Sequence, residues 1–111
     1  MNLKIIPTPN FTKSVKRLAK KYTSIVVDLE RLHDELNSKT YQAIELGNHC
    51  FKMRLANSSI QKGKSGGFRI IFFTVIEEKI YLLDIYSKTE LDSISDEKII
   101  TILKDNELLK S

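Results

Sequence analysis

The apolar run Ile70-Ile-Phe-Phe-Thr-Val75 follows directly on Lys62-Gly-Lys-Ser-Gly-Gly-Phe-Arg69, and this junction limits the folds open to the chain. A run of this length behind a glycine cluster reads as a buried strand fed by a flexible basic loop, with Arg69 held at the join. From Leu46 to Ile76 there is no Asp or Glu, while Lys52, Arg54, Lys62, Lys64 and Arg69 supply five cations. The whole chain has 18 Lys+Arg and 14 Asp+Glu, so its net charge of +4 divides into +5 inside this window and −1 outside it. A basic site is thus concentrated on one part of an otherwise balanced sequence, and phosphate is the first ligand to expect there.

At 111 residues the chain forms one domain, residues 1–111, whose elements must all share the available core. Hydrophobic content of 41% and charged content of 29% suit a soluble globular protein. No apolar run approaches the roughly 20 residues that a bilayer span needs, and no membrane association is expected. Met1 to Pro7 lacks the apolar region and cleavage site of a signal peptide. The single cysteine, Cys50, excludes an internal disulfide and fits a reducing cytoplasm. Beside Phe51 at the start of a strand, it reads as a small buried hydrophobe and not a nucleophile.

Leu3 to Ile6 is a short strand closed off by Pro7 and Pro9. Phe11, Val15, Leu18 and Tyr22 recur at helical spacing, with Asn10 as a candidate cap and five cations (Lys13, Lys16, Arg17, Lys20, Lys21) on the other side. Ile25, Leu29, Leu32 and Leu36 mark a second helix behind Ser24, and the short join at Tyr22 to Ser24 makes the two an antiparallel pair. The period then changes to two. Phe51, Met53 and Leu55 alternate with Lys52 and Arg54, so one strand face is apolar and the other cationic. Arg69 to Val75 and Lys79 to Tyr86, joined by an acidic turn at Glu77-Glu78, form a central hairpin. Ser95 caps a last helix with Asp96 and Glu97 in its first turn and Ile99, Ile102 and Leu103 facing inward. The order β-α-α-β-β-β-α predicts an α+β domain: two N-terminal helices and a C-terminal helix around an antiparallel sheet, the helices on one face.

The free sheet face is where chemistry is expected. Lys52 and Arg54 project together from one strand, about 7 Å apart; Arg69 opens the next strand, and Tyr86 and Lys88 end the last one on a shared face. Lys62 and Lys64 approach from the loop. No His/Cys cluster suits a metal, since only His33 and His49 exist, and both read as structural. No carboxylate pair is expected near the basic site. Gly63-Lys-Ser65 resembles part of a phosphate loop, but Ser58 stands where its leading glycine should be, so no nucleotide cofactor is expected. Plainer readings exist: Lys52 and Arg54 suit a solvated strand face, the first helix's cations a solvent side, and Tyr86 a core position with its hydroxyl at the rim. They leave the coincidence of an acid-free window with a glycine loop unexplained.

Lys62-Gly-Lys-Ser-Gly-Gly-Phe-Arg-Ile-Ile-Phe-Phe73 followed by Ile80-Tyr-Leu-Leu-Asp-Ile-Tyr-Ser-Lys-Thr-Glu90 resembles the HigB-type branch of the RelE superfamily of bacterial toxins. That branch has Lys-Gly-Lys-x-Gly-Gly-x-Arg-Ile/Val-Ile-Tyr, then Tyr-Leu-Leu-x-Ile-Tyr-x-Lys-x-Glu; here Phe72 replaces the first motif's tyrosine. The similarity covers Lys52 to Ser95 well, while the N-terminal half matches only in pattern. The resemblance implies the compact RelE fold and the toxin of a type II toxin–antitoxin pair, an endoribonuclease that enters the ribosomal A site and cuts mRNA. It also implies a cognate antitoxin, a toxin–antitoxin hetero-oligomer, and the ribosome and mRNA as partners.

Metal-free RNA cleavage needs the 2′-hydroxyl deprotonated, charge on the pentacoordinate phosphorus stabilised and the 5′-oxygen protonated. Arg69 is the candidate phosphate clamp. Lys88 and Tyr86 are the candidates for proton transfer, with Lys64 and Lys62 holding the backbone or contributing to catalysis and Lys52 and Arg54 binding RNA. Clustered cations are expected to lower the proton affinity of both the lysines and Tyr86. Two competing readings are a ParE-like toxin that poisons DNA gyrase without cutting RNA, and an RNA-binding module without catalysis.

Overall fold

The computed structural model describes residues 3–61, 63–76 and 78–109. Its elements are β1 (Lys4–Pro7), α1 (Pro9–Ala19), α2 (Ile25–Ser38), β2 (Ala43–Gly47), β3 (Cys50–Leu55), a 3₁₀ turn (Lys64–Gly66), β4 (Phe68–Phe73), β5 (Lys79–Ser87) and α3 (Asp96–Asp105). They form one five-stranded sheet in the order β1-β5-β4-β3-β2. The expected α+β arrangement and helix order are present, with β4 and β5 as a central hairpin. The acidic turn expected between them includes Glu77, which lies outside the described residues.

Three features differ from the sequence expectation. The first is β2, an added edge strand paired antiparallel to β3. Its apolar residues Ile44 and Leu46 are 65% and 37% exposed, so it carries no burial alternation to announce it. It is built by the Asn48-His49 turn, where both residues have positive φ (53° and 61°), as a tight hairpin turn demands. The second is that β1 pairs parallel to β5, so the sheet is mixed. The third is that helices cover both faces. Phe68 to Phe73 are buried without a break, as in a strand covered on both sides. Phe68, Ile70 and Phe72 pack with Phe11, Leu18, Ile25, Leu32 and Leu36 from α1 and α2. Ile71 and Phe73 pack the other way, with Ile99, Ile102 and Leu103 of α3. Each such fully buried side chain contributes about 1.5–3 kcal/mol.

The helix ends follow local chemistry. Thr8, and not Asn10, caps α1: its Oγ1 accepts a hydrogen bond from the Phe11 N–H at 3.2 Å. Pro9 supplies the first helical residue, whose missing N–H is no loss there. The Asn10 amide donates instead to the Leu83 carbonyl. Ser95 caps α3 as expected, accepting from the Lys98 N–H. Tyr22 lies past the end of α1 but is buried with that helix's apolar stripe. Cys50 is fully buried, and burial pushes its thiol up to about 11, which suits an inert core residue.

A bulge in β5 matters for the site. Ile71 pairs with Asp84 and Phe72 with Leu82, leaving Leu83 as an extra residue. This flips the alternation: Leu82 and Ile85 both face α1 and α2, while Leu83 and Tyr86 both face α3.

Candidate active site

α3 covers only one end of its sheet face. The uncovered end presents a groove of about 750 Å³ into which Lys52, Arg54, Lys64, Arg69 and Lys88 all open. The strand register explains the convergence. Arg54, Arg69 and Tyr86 lie in one cross-strand row over β3, β4 and β5, with Lys52 two residues along β3. Lys88 is placed by its own backbone, whose N–H donates to the Gly67 carbonyl at 2.9 Å. Six of the seven candidate residues are thereby brought to one end of the sheet. The seventh, Lys62, lies outside the described residues.

Arg69 is 6% exposed, and its guanidinium grips the loop that precedes it. Nη1 donates to the carbonyls of Lys64 (3.0 Å) and Phe68 (3.3 Å), and Nη2 to that of Ser65 (3.2 Å). Burial lowers its proton affinity from the ordinary arginine value, and the neighbouring Arg54 charge adds to this. The residue expected to clamp phosphate is thus also the one that folds the 3₁₀ turn and sets Lys64 at the groove wall. Gly67 makes the same close approach sterically: a Cβ there would stand 2.4 Å from the Leu55 carbonyl oxygen.

Tyr86 departs from the expected electrostatics. Its ring packs in the α3 cluster with Ile94 and Ile99, it is 3% exposed, and among the described residues its hydroxyl has no hydrogen-bond partner. Burial raises its pKa above the ordinary phenol value, outweighing the opposing effect of Arg69. The expected lowering by clustered cations is therefore reversed, because desolvation dominates at this depth. At neutral pH Tyr86 is a phenol, able to donate a proton or hydrogen bond and unsuited to accept one as a base.

Single carboxylates also reach the site from separate elements, which the expectation of no carboxylate pair does not address. Glu35, near the C-terminal end of α2, lines the groove. Lys88 Nζ donates to Asp92 Oδ1 at 2.7 Å and to the Asp92 carbonyl at 2.8 Å. This bond and the Lys88 charge, helped by Lys52, hold the Asp92 carboxyl below its ordinary value. Neither acid falls in the Leu46–Ile76 window; the fold brings them in from α2 and from the β5–α3 loop. The spacing of Lys88 and Asp92, four residues apart, was the available signal for the second.

The remaining charged residues lie elsewhere. Lys13, Lys16, Arg17, Lys20 and Lys21 are exposed on and just after α1, which packs on the opposite sheet face. His33 is exposed beside Asn37, and His49 sits on the β2–β3 turn with its ring edge-on to Phe73. Among the described residues no three His, Cys, Asp or Glu side chains are grouped as metal ligands, and no helix is long and apolar enough to cross a membrane.

A groove with this composition is suited to hold a phosphodiester: several cations line it, among them lysines with long flexible stems, and a buried phenol stands beside Arg69 behind its wall. A family model described as the RelE toxin of the RelE/RelB toxin–antitoxin system matches residues 10–109. No curated protein sequence matches the chain significantly.

Proposed function

Because this chain belongs to the RelE toxin family, and so acts as the toxin of a toxin–antitoxin pair with an antitoxin as partner, we propose that it is a HigB-type endoribonuclease that cuts mRNA in the ribosomal A site. The observation that carries the reading is the convergence of Lys52, Arg54, Lys64, Arg69 and Lys88 in a single groove beside Tyr86. The 2′-hydroxyl of the bound strand attacks the adjacent phosphorus, and the P–O5′ bond breaks to leave a cyclic phosphate and a 5′-hydroxyl. Arg69 and Arg54 stabilise the charge that builds on the phosphorane oxygens. Tyr86, kept protonated by burial, donates toward the leaving 5′-oxygen, and a groove lysine takes the 2′-hydroxyl proton. Lys52 and Lys64 hold flanking phosphates. Such side chains are weak proton-transfer groups at neutral pH, so the ribosome contributes by orienting the strand. The reaction as written uses only protein groups and is metal-independent.

The test is to map mRNA 5′ ends after expressing the chain, alongside Arg69→Ala shown to be folded by circular dichroism. New ends within translated frames that vanish with Arg69→Ala support the reading. Growth arrest with a DNA-damage response and intact transcripts would point to gyrase and sink it.

A further inference from the structure

Lys88 sits between two residues that are bonded on the opposite side of the sheet. Ser87, whose strand partner is Phe68, turns toward α1 and α2, and its Oγ lies 3.1 Å from the Tyr22 hydroxyl. Thr89 Oγ1 lies 2.9 Å from Ser87 Oγ and 3.3 Å from the Tyr22 hydroxyl. The Tyr22 hydroxyl donates its one proton to Glu90 Oε2 at 2.5 Å, so Ser87 or Thr89 donates to it in turn. Tyr22 is itself immobile: it is buried, and its ring stacks edge-on against Phe68 at 5.6 Å. Lys21 completes the group, with Nζ 3.5 Å from Glu90 Oε2. Three of the four residues from Ser87 to Glu90 are thus tied to one phenol, and the fourth is the lysine that points into the groove.

We propose that Tyr22 and Glu90 are positioning residues for Lys88, a brace acting through the strand from the face remote from the RNA. The proposal rests on the reading of Lys88 as part of a nuclease site. A lysine has a long flexible stem, and its usefulness at a reacting phosphate depends on where its Cα and backbone are held. On the groove side, among the described residues, Lys88 is held by its backbone bond to Gly67 and by the exposed Asp92. The brace supplies rigidity from behind, where no substrate group interferes with it. The Tyr22–Glu90 bond is short and charge-assisted, the strong kind of hydrogen bond, and it holds the Glu90 carboxyl below its ordinary value. Neither residue touches the groove, so their effect is on the rate of the bound complex and not on binding.

The experiment is a double-mutant cycle on the full chain, assayed by cleavage of a defined mRNA on translating ribosomes. Four proteins are compared: the parent, Tyr22→Phe, Lys88→Ala and the pair. Tyr22→Phe removes one hydroxyl and should lower kcat about tenfold or more with KM changed less than about twofold. In the Lys88→Ala background the same change should have no further effect, because the group it positions is gone. An equal fold-loss in both backgrounds overturns the proposal and leaves Tyr22 with a general stabilising role. Full activity of Tyr22→Phe also overturns it. Full activity of Lys88→Ala overturns the catalytic reading of Lys88, and the brace with it. Amide hydrogen exchange gives a readout independent of nuclease activity. Tyr22→Phe or Glu90→Gln should speed exchange of the Lys88 N–H while leaving Ile102 in α3 unchanged; unchanged exchange at Lys88 overturns the brace even where the nuclease reading stands.

Discussion

Arg54 and Arg69 are direct cross-strand partners on β3 and β4, two guanidinium-bearing residues side by side at the floor of one groove. Like charges so placed destabilise a sheet by about 0.2–1 kcal/mol, and the lowered proton affinity of Arg69 carries the mark of Arg54. The pair makes sense where an anion comes between them. Arg54→Gln should therefore raise the melting temperature slightly while lowering mRNA cleavage tenfold or more. A thermal melt and a cleavage assay on the same preparation check both; a variant that is both less stable and fully active contradicts the reading.

Tyr86 gives a test by pH. Its folded-state pKa is raised above the unfolded value, so it favours the fold fully below about pH 10, and this contribution is lost as pH rises through the folded pKa. Tyr86→Phe removes that alkaline loss, along with a buried hydroxyl that lacks a partner among the described residues. The variant should be as stable as the parent near pH 7, more stable than it above about pH 10, and strongly impaired in cleavage. Urea titrations at pH 7 and pH 10.5 decide the stability part.

What was legible in advance had a period or a composition. The stripes Phe11–Leu18 and Ile25–Leu36 and the β3 alternation were readable because burial repeats along each of them, and the β4–β5 hairpin because its two apolar runs are continuous. Four of the groove's cations, Lys52, Arg54, Lys64 and Arg69, were readable because they cluster without acids over one window, and Lys88 because it follows Tyr86 at the end of the last strand. Ile44 and Leu46 gave no warning of β2, since an edge strand exposes what a core strand would hide. The Leu83 bulge, the parallel pairing of β1 and the approach of Asp92 and Glu35 depend on contacts between distant segments. Tyr86 was misjudged electrostatically because charge is visible in a sequence and depth is not.

Asp92 is an anion beside the basic groove, held by Lys88 Nζ with its own side chain almost wholly in water. An exposed pair of this kind is weak and easily exchanged. A phosphodiester entering the groove competes with it for Lys88. Asp92→Asn should bind single-stranded RNA several-fold more tightly, with a salt dependence steeper by up to about one unit of log–log slope. Because Lys88 depresses the Asp92 carboxyl, this pair stabilises the fold above the ordinary carboxylate pKa and ceases to as pH falls through the lowered one. The difference in RNA affinity between parent and variant should shrink over the same acid range. Filter binding across salt and pH measures it, and equal affinities at pH 7 would rule the competition out.

Gly67 joins the loop, the strand and Lys88 at one point. Its carbonyl accepts the Lys88 N–H, while a Cβ on it would meet the Leu55 carbonyl oxygen at 2.4 Å and the Asn57 nitrogen at 3.0 Å. These are backbone atoms of the segment beside β4 and have no rotamer through which to yield. Gly67→Ala must push β4 away from the end of β3, which costs about 1–3 kcal/mol or more as overpacking does, or roughly 4–8 °C in melting temperature per kcal/mol. Gly63 offers the contrast. It has φ +63° and ψ −160° with open space around it, so Gly63→Ala meets no neighbouring atom but forces a side chain into backbone space that is essentially glycine-only, a strain of about 1–3 kcal/mol. Both variants should therefore lose stability, and Gly67→Ala, by displacing the carbonyl that holds Lys88, should lose more cleavage activity than Gly63→Ala at temperatures where both remain folded. Melting curves and cleavage rates for the two variants, taken side by side at 20 °C, test the order; a Gly67→Ala protein matching the parent in both would show that the close approach to Leu55 is not needed.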